Sequence, residues 1–244
     1  MKFDDSSWGT ADMQDQLIAS VAHELKTPLT LISGMSSELQ TTPADSRLQQ
    51  KYLERIQFSS DRLLNLVDSI LRGYELKQHV LELQLEPLSP LLIMEEVAHE
   101  LEPHARKQAQ LIAVKSNKRS QPLVLADKGC LHAIIFNLLD NAIKYTKPEQ
   151  TIELEARLKR DYAQLAVKDY GVGVKKSDLK RIFTQFGKSQ RPIPQWANST
   201  GLGLYIAKQL TEAMNGQLEL TRRHDGSSFL VNLQLSHQLS LFDS

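Results

Sequence analysis

Cysteine is nearly absent: Cys130 is the only one in 244 residues. A single thiol excludes an intramolecular disulfide framework and any metal site built from several cysteines, and it suits a reducing compartment. No apolar run approaches the roughly 20 residues that span a bilayer. Met1-Lys2-Phe3-Asp4-Asp5 lacks the apolar stretch of a signal peptide. These signals predict a cytoplasmic location, and any sensory module or membrane anchor would belong to an upstream portion of a longer protein. Net charge is missing as well, because 29 Lys+Arg offset 29 Asp+Glu. No overall field therefore draws the chain to nucleic acid, which is not an expected partner. What is present is ordinary for a soluble protein, with 41% hydrophobic and 24% charged residues. The length favours two domains.

The most informative segment is Ser20-Val21-Ala22-His23-Glu24-Leu25-Lys26-Thr27-Pro28-Leu29. Apolar positions run Ile18, Val21, Leu25, Pro28, Ile32, Met35, Leu39 in alternating steps of three and four, a heptad seam. Thr41 to Ser46 breaks the pattern as a turn, with Asp45 or Ser46 as N-cap. A second seam follows at Tyr52, Ile56, Ser59, Leu63, Leu66 and Ile70, widened by Leu53, Leu64, Val67 and Leu71. Two helices cannot bury so much apolar surface alone, so a four-helix bundle made by two chains is expected; docking on the second domain is the plainer alternative. On this register His23 lies on the outer face. Pro28 has no N–H for the carbonyl of Glu24, so the helix is expected to bend or loosen there. A break beside an exposed histidine points to a functional site.

The texture changes after about Lys77. Leu81 to Leu85 alternates like a strand, and Pro90 to Gln108 reads as an amphipathic helix. Strands are expected at Leu111–Lys115, Leu123–Leu125, Ile152–Leu158 and Gln164–Val167, and helices at Leu131–Tyr145, from Ser177, and at Leu202–Met214. Leu218–Leu220 and Phe229–Leu235 close as a hairpin, and Gly187 to Thr200 is a long polar loop with Pro192 and Pro194. Together these describe an α+β sandwich with helices on one face of a mostly antiparallel sheet. The change of texture puts a hinge at Gly73 to Val80.

Four short patterns in the second half carry chemistry. Asn137, Asn141 and Lys144 share one helical face by the i, i+4, i+7 rule. Amide oxygens suit Mg²⁺ and a lysine supplies a point charge for phosphate, although capping or buried-amide roles would also account for the asparagines. Asp169-Tyr170-Gly171-Val172-Gly173 follows a strand; a carboxylate there accepts a hydrogen bond from an exocyclic amine such as that of adenine, and a plain turn is the ordinary alternative. Gly201-Leu202-Gly203-Leu204 opens a helix, where backbone N–H groups favour phosphate. Phe183 to Phe186 lies between them and reads as core packing by itself. No Gly-Lys-Ser/Thr stands at a glycine-rich turn, so this is not a Walker site.

In this order, with His23 upstream, the patterns resemble the sensor histidine kinases of two-component systems across nearly the whole chain. Residues 11–76 resemble the dimerisation and histidine-phosphotransfer domain, and residues 80–236 the Bergerat-type ATP-binding catalytic domain. The resemblance implies that His23 accepts the γ-phosphoryl group of ATP, that Glu24 acts as its base or orients the imidazole, and that Thr27 orients water in dephosphorylating a partner. It implies Mg²⁺ on Asn141 with Asn137 assisting, phosphate on Lys144, Tyr145 stacked near the base, and Asp169 reading the adenine amine. Gly171, Gly173, Gly201 and Gly203 give backbone room, with Thr200, Leu202 and Leu204 beside them. Residues 187–200 form a lid whose phosphate-contacting cation is Lys188 or Arg191. The implied partners are a second copy of the chain and a response-regulator receiver domain with an aspartate acceptor.

Three other readings compete, one of them a protein whose main output is phosphatase activity towards its partner, which Glu24 and Thr27 both permit. Hydrolytic ATPases resembling DNA gyrase or the mismatch-repair ATPases carry a water-activating glutamate where this chain has Asn137, which cannot take a proton; transfer to a side chain is favoured. A signalling scaffold with a degenerate nucleotide site would not be expected to keep Asn141, Asp169 and both glycine patterns.

Overall fold

Two long helices open the chain, α1 (Trp8–Thr41) and α2 (Arg47–Lys77). The structure, a computed structural model, describes residues 8–43, 47–77, 82–115, 122–185, 187, 189, 201–223 and 225–236. The chain divides into two compact units, Met1–Ile70 and Leu71–Ser244.

In α1 the seam positions Val21, Leu25, Ile32, Met35 and Leu39 are half-buried and Pro28 is buried, whereas Lys26, Thr27, Leu29 and Ser33 between them are exposed. The heptad pattern thus sorts the helix surface as a 3.5-residue repeat should. Pro28 does not interrupt the helix. In the turn after it the Thr30 hydroxyl donates back to the carbonyl of Lys26 at 2.7 Å. In α2, Tyr52, Ile56, Leu63, Leu66 and Ile70 are half-buried and Ser59 is buried. The expected hinge began at Gly73, but Gly73–Lys77 completes α2 instead. The caps Asp45 and Ser46 lie outside the described residues.

The second unit is built on a five-stranded sheet and a two-stranded ribbon. Its elements in order are β1 (Glu86–Leu88), α3 (Pro90–Lys107), β2 (Leu111–Lys115), β3 (Val124–Ala126), α4 (Lys128–Tyr145), β4 (Thr151–Leu158) and β5 (Tyr162–Asp169). Two 3₁₀ turns (Lys176–Asp178, Arg181–Phe183), α5 (Gly203–Ala213), β6 (Gln217–Arg223) and β7 (Gly226–Gln234) follow. The sheet runs β2-β4-β5-β7-β6. Only the β2–β4 pair is parallel; β4–β5, β5–β7 and β6–β7 are antiparallel. Ile152, Leu154, Leu165, Val167, Phe229 and Val231 face the helices and are buried, while Glu153, Glu155 and Lys168 alternate onto the open face. Leu131, Ile134, Ile135, Leu138, Leu139 and Ile143 of α4 complete this core, each contributing about 1.5–3 kcal/mol through burial.

Two expectations are corrected. The strand foreseen at Leu81–Leu85 lies instead at Glu86–Leu88, where it pairs antiparallel with Val124–Ala126. Leu85 is exposed, so the alternation of leucines there does not report a core face. The helix foreseen from Ser177 is two 3₁₀ turns, because the Asp178 side chain takes Arg181 and Ser189 rather than capping a longer helix.

Candidate functional site: an asparagine face at a helix N-terminus

Helix α4 is launched by Asp127, whose Oδ1 accepts the N–H of Cys130 at 2.8 Å, satisfying one of the helix's free donors. Its buried stripe fixes its rotation on the sheet, which leaves Asn137, Asp140, Asn141 and Lys144 together, half-buried, on the flank toward α5. Asn137 Nδ2 donates to the carbonyl of Ala133 at 2.8 Å. That bond aims Oδ1 at the first residue of α5: a Cβ on Gly203 would stand 2.8 Å from it. The asparagine face and the second glycine pattern therefore meet side by side. Asn141 makes no side-chain hydrogen bond among the described residues. Lys144 Nζ is paired with Asp140 Oδ2 at 2.5 Å.

The end of β5 meets the chain just past α4. Asp169 is buried, and its Oδ1 accepts the N–H of Gly171 at 2.9 Å and that of Ser227 at 3.2 Å. Thr146, just past α4, pairs with Gly171 as an isolated bridge. A Cβ on Gly171 would collide with the carbonyl of Tyr145, so this glycine is dictated by close approach of the two segments. Tyr145 is half-buried beside it. Gly173 and Gly201 take positive φ, 64° and 80°. Leu202 is buried and Leu204 half-buried at the start of α5. Phe183 packs edge-on against Phe229 with centroids 6.4 Å apart, the core role its pattern suggested.

Thr27 is exposed in α1. His23 and Glu24 belong to the same helix, and their side chains lie outside the described residues. Lys188, Arg191 and Thr200 are also outside them, as is most of the 187–200 loop. Its first part is anchored: Asp178, buried, accepts Ser189 Oγ at 2.9 Å and Arg181 at 3.2 Å. A Cβ on Gly187 would collide with the carbonyl of Arg181, so close packing at this point calls for glycine.

Sequence reasoning passed over five residues that shape this region. Asp140 was visible by its i, i+3 spacing from Asn137 and i, i+4 spacing to Lys144. Asp178 and Arg181 carried a similar signal. Ser227 and Gln110 gave none, since only the folded chain brings them to Asp169 and to α4.

A helical hairpin carrying a histidine, followed by a helix-on-sheet domain with this asparagine and glycine arrangement, defines a phospho-acceptor unit joined to an ATPase-type unit. Residues 13–72 match the His Kinase A (phospho-acceptor) domain, and residues 126–237 match the histidine kinase-, DNA gyrase B- and HSP90-like ATPases. The chain belongs to the sensor histidine kinases. It is 32% identical over 221 residues to the circadian input-output histidine kinase CikA of Synechococcus elongatus, spanning 88% of this chain and 29% of CikA. The sensor protein GacS of Pseudomonas syringae pv. syringae is 32% identical over 231 residues, 91% of this chain and 25% of GacS. Full-length ShkA, solved in complex with AMPPNP, superposes with a TM-score of 0.61 at 27% identity, covering 91% of this chain and 46% of that one. The chain thus spans about a quarter to a third of the curated relatives named here. No helix among the described residues is long and apolar enough to cross a membrane.

Proposed function

We propose that the chain is the kinase core of a two-component sensor, residues 11–76 serving dimerisation and phosphotransfer and residues 80–236 binding ATP. The core autophosphorylates His23 and passes the phosphoryl group to an aspartate on a response-regulator receiver domain. The observation that carries this reading is the meeting of Asn137 with the N-terminus of α5 at Gly203, on the same flank as Asn141 and Lys144. The N–H groups of the first turn of α5 and the positive end of the helix dipole favour phosphate there, and Lys144 adds charge. Asp169, anchored by Gly171 and Ser227, presents a carboxylate for the adenine amine.

The donor set also fits Mg²⁺. The Asn141 amide makes no side-chain hydrogen bond among the described residues, and a neutral oxygen ligand beside phosphate oxygens is what a hard, hydrated cation takes. Asn141, with Asn137 assisting, would hold the cation, which would supply positive charge to offset the negative charge that develops on the phosphoryl group during transfer. The rest of the chemistry is positioning. A neutral imidazole is abundant near pH 7; its nitrogen bonds to the γ-phosphorus in line as the bond to the β–γ bridging oxygen breaks and ADP leaves, Glu24 takes or holds the ring proton, and the transferring group meets fixed donors rather than covalent machinery. Asn137 stands where a hydrolase needs an acid and cannot deprotonate water, which favours transfer over hydrolysis. Thr27 is exposed one turn beyond His23; this supports a second activity in which Glu24 and Thr27 orient water for dephosphorylating the partner.

The test is incubation with γ-labelled ATP and Mg²⁺. The expected label is acid-labile, alkali-stable and absent from His23→Gln. An unlabelled wild-type chain that still binds nucleotide would overturn the kinase reading in favour of a scaffold.

A further inference from the structure

The ion pair between Asp140 and Lys144 is not a typical helix-surface pair. Pairs at i, i+4 on solvated faces hold two long side chains loosely and contribute little. Here the partners approach to 2.5 Å and their side chains are only 15% and 13% exposed, so water screens them poorly. At about 100° per residue, Asp140, Lys144, Asn137 and Asn141 fall within one wedge of α4, and that wedge borders the start of α5 where Asn137 meets Gly203. A carboxylate thus stands among the groups assigned to phosphate and cation. On charge alone it is out of place, because it cancels the lysine that should attract the phosphates.

We propose that Asp140 is a specificity-determining residue that makes the site select the divalent-cation complex of a nucleoside triphosphate over the free nucleotide. The inference rests on the nucleotide site described above. With the Asp140 carboxylate beside it, Lys144 attracts a bare triphosphate only weakly, because each phosphate oxygen it draws also approaches that carboxylate. A divalent cation removes two of the triphosphate's negative charges. It also retains bound waters, and these donate hydrogen bonds to a neighbouring carboxylate, so repulsion becomes attraction. Lys144 is then held in place for phosphate by the residue that would otherwise only mask it. The consequence is economical: free nucleotide, which cannot support phosphoryl transfer, does not occupy the pocket.

Nucleotide binding by the whole chain, measured by calorimetry with the non-hydrolysable analogue AMPPNP, tests this without turnover. Dissociation constants are taken in excess Mg²⁺ and again in EDTA. For the wild type, binding in EDTA should be much weaker than in Mg²⁺. Asp140→Asn should tighten binding in EDTA about tenfold while changing binding in Mg²⁺ less than about threefold, consistent with removing one poorly screened charge. Asp140→Glu should keep the wild-type ratio. An unchanged ratio in Asp140→Asn, or an equal loss in both conditions, would overturn the role of Asp140 and leave the nucleotide site standing. A wild-type chain that binds no nucleotide in Mg²⁺ would instead remove the site itself. If Asp140→Asn fails to fold by circular dichroism, Asp140→Ser is read against the same ratio.

Discussion

Gln110 closes the end of α4 by donating its side-chain amide to the carbonyl of Thr146 at 2.7 Å and to that of Ile143 at 3.1 Å. Both carbonyls lie at the C-terminal end of the helix, where no further turn exists to satisfy them. Gln110 is buried just before the edge strand β2, so a residue from the far end of the sheet fixes the segment on which Tyr145 and Gly171 approach each other. The asparagine face depends on this clamp at one end and on the Asp127 cap at the other.

Gln110→Leu should therefore cost about 1–3 kcal/mol, the penalty for leaving buried carbonyls without their donor. Urea unfolding reads the loss directly. Nucleotide affinity should fall as well, because the Thr146–Gly171 bridge loses its support. A variant with wild-type stability would show that the clamp carries no load.

Gly203→Ala tests the contact between the glycine pattern and the asparagine face. The new methyl would stand 2.8 Å from Asn137 Oδ1, closer than any ordinary contact, and Asn137 is held from behind by Ala133. Asn137 must move, and nucleotide affinity should fall about tenfold, which is about 1.4 kcal/mol. Overall stability should hold, since alanine is the better helix former by about 1 kcal/mol. Equal affinity for AMPPNP in the two proteins would show that Asn137 is not needed where it stands.

Asp169→Asn keeps one oxygen for the backbone N–H groups of Gly171 and Ser227 but removes the charge. Hydrogen bonds to a charged acceptor contribute about 1.5–3 kcal/mol, so ATP should bind roughly tenfold to a hundredfold more weakly. Guanine presents a carbonyl where adenine has its amine. The preference for ATP over GTP should therefore narrow in the variant, as competition binding would reveal.

Much of this organisation is legible in the sequence because it rests on periodicity. The heptad spacing of Val21, Leu25, Pro28, Ile32, Met35 and Leu39 is sorted by burial as the spacing demands, and the i, i+4, i+7 set on α4 shares a flank as expected. What sequence hides is of two kinds. Leu81, Leu83 and Leu85 alternate as a strand does, yet pairing with β3 is available only at Glu86–Leu88, and local pattern carries no information about a partner strand. Gln110 and Ser227 are ordinary polar residues whose roles come from contacts distant in sequence, with Ala166, Val167 and Asp169 of β5 delivered to β7 by strand register alone.

Acid should weaken the open face of the sheet. Glu153 is held below its ordinary pKa mainly by its hydrogen bond from Lys115, 2.7 Å away. For Glu155, burial pushes the pKa upward, but hydrogen bonds from Arg157 and Lys168 outweigh it and the net shift is downward. A carboxylate depressed in the folded state stabilises fully above its unfolded value, about 4.3, and the contribution is lost as pH falls through the folded value. Glu153→Gln should thus be less stable than wild type at pH 7, with the difference closing as pH falls below about 4.3 and on through the depressed folded value. A difference that stays constant with pH would mean that the ladder does not couple to folding.

The hairpin leaves apolar surface that a second copy would cover. Leu53 and Leu64 of α2 are 53% and 62% exposed, and Leu29 of α1 is 58% exposed. Burying one leucine fully is worth about 1.5–3 kcal/mol, and in a symmetric dimer each position counts twice. The chain should therefore scatter light as a dimer at micromolar concentration. Leu53→Glu with Leu64→Glu should shift it to monomer while leaving AMPPNP affinity intact, because neither residue belongs to the ATP-binding unit. If the phosphoryl group crosses between copies, labelling of His23 falls with the dimer; if it stays within one copy, labelling persists in the monomer. A wild-type monomer at these concentrations would send the exposed leucines to another partner and end the four-helix assignment.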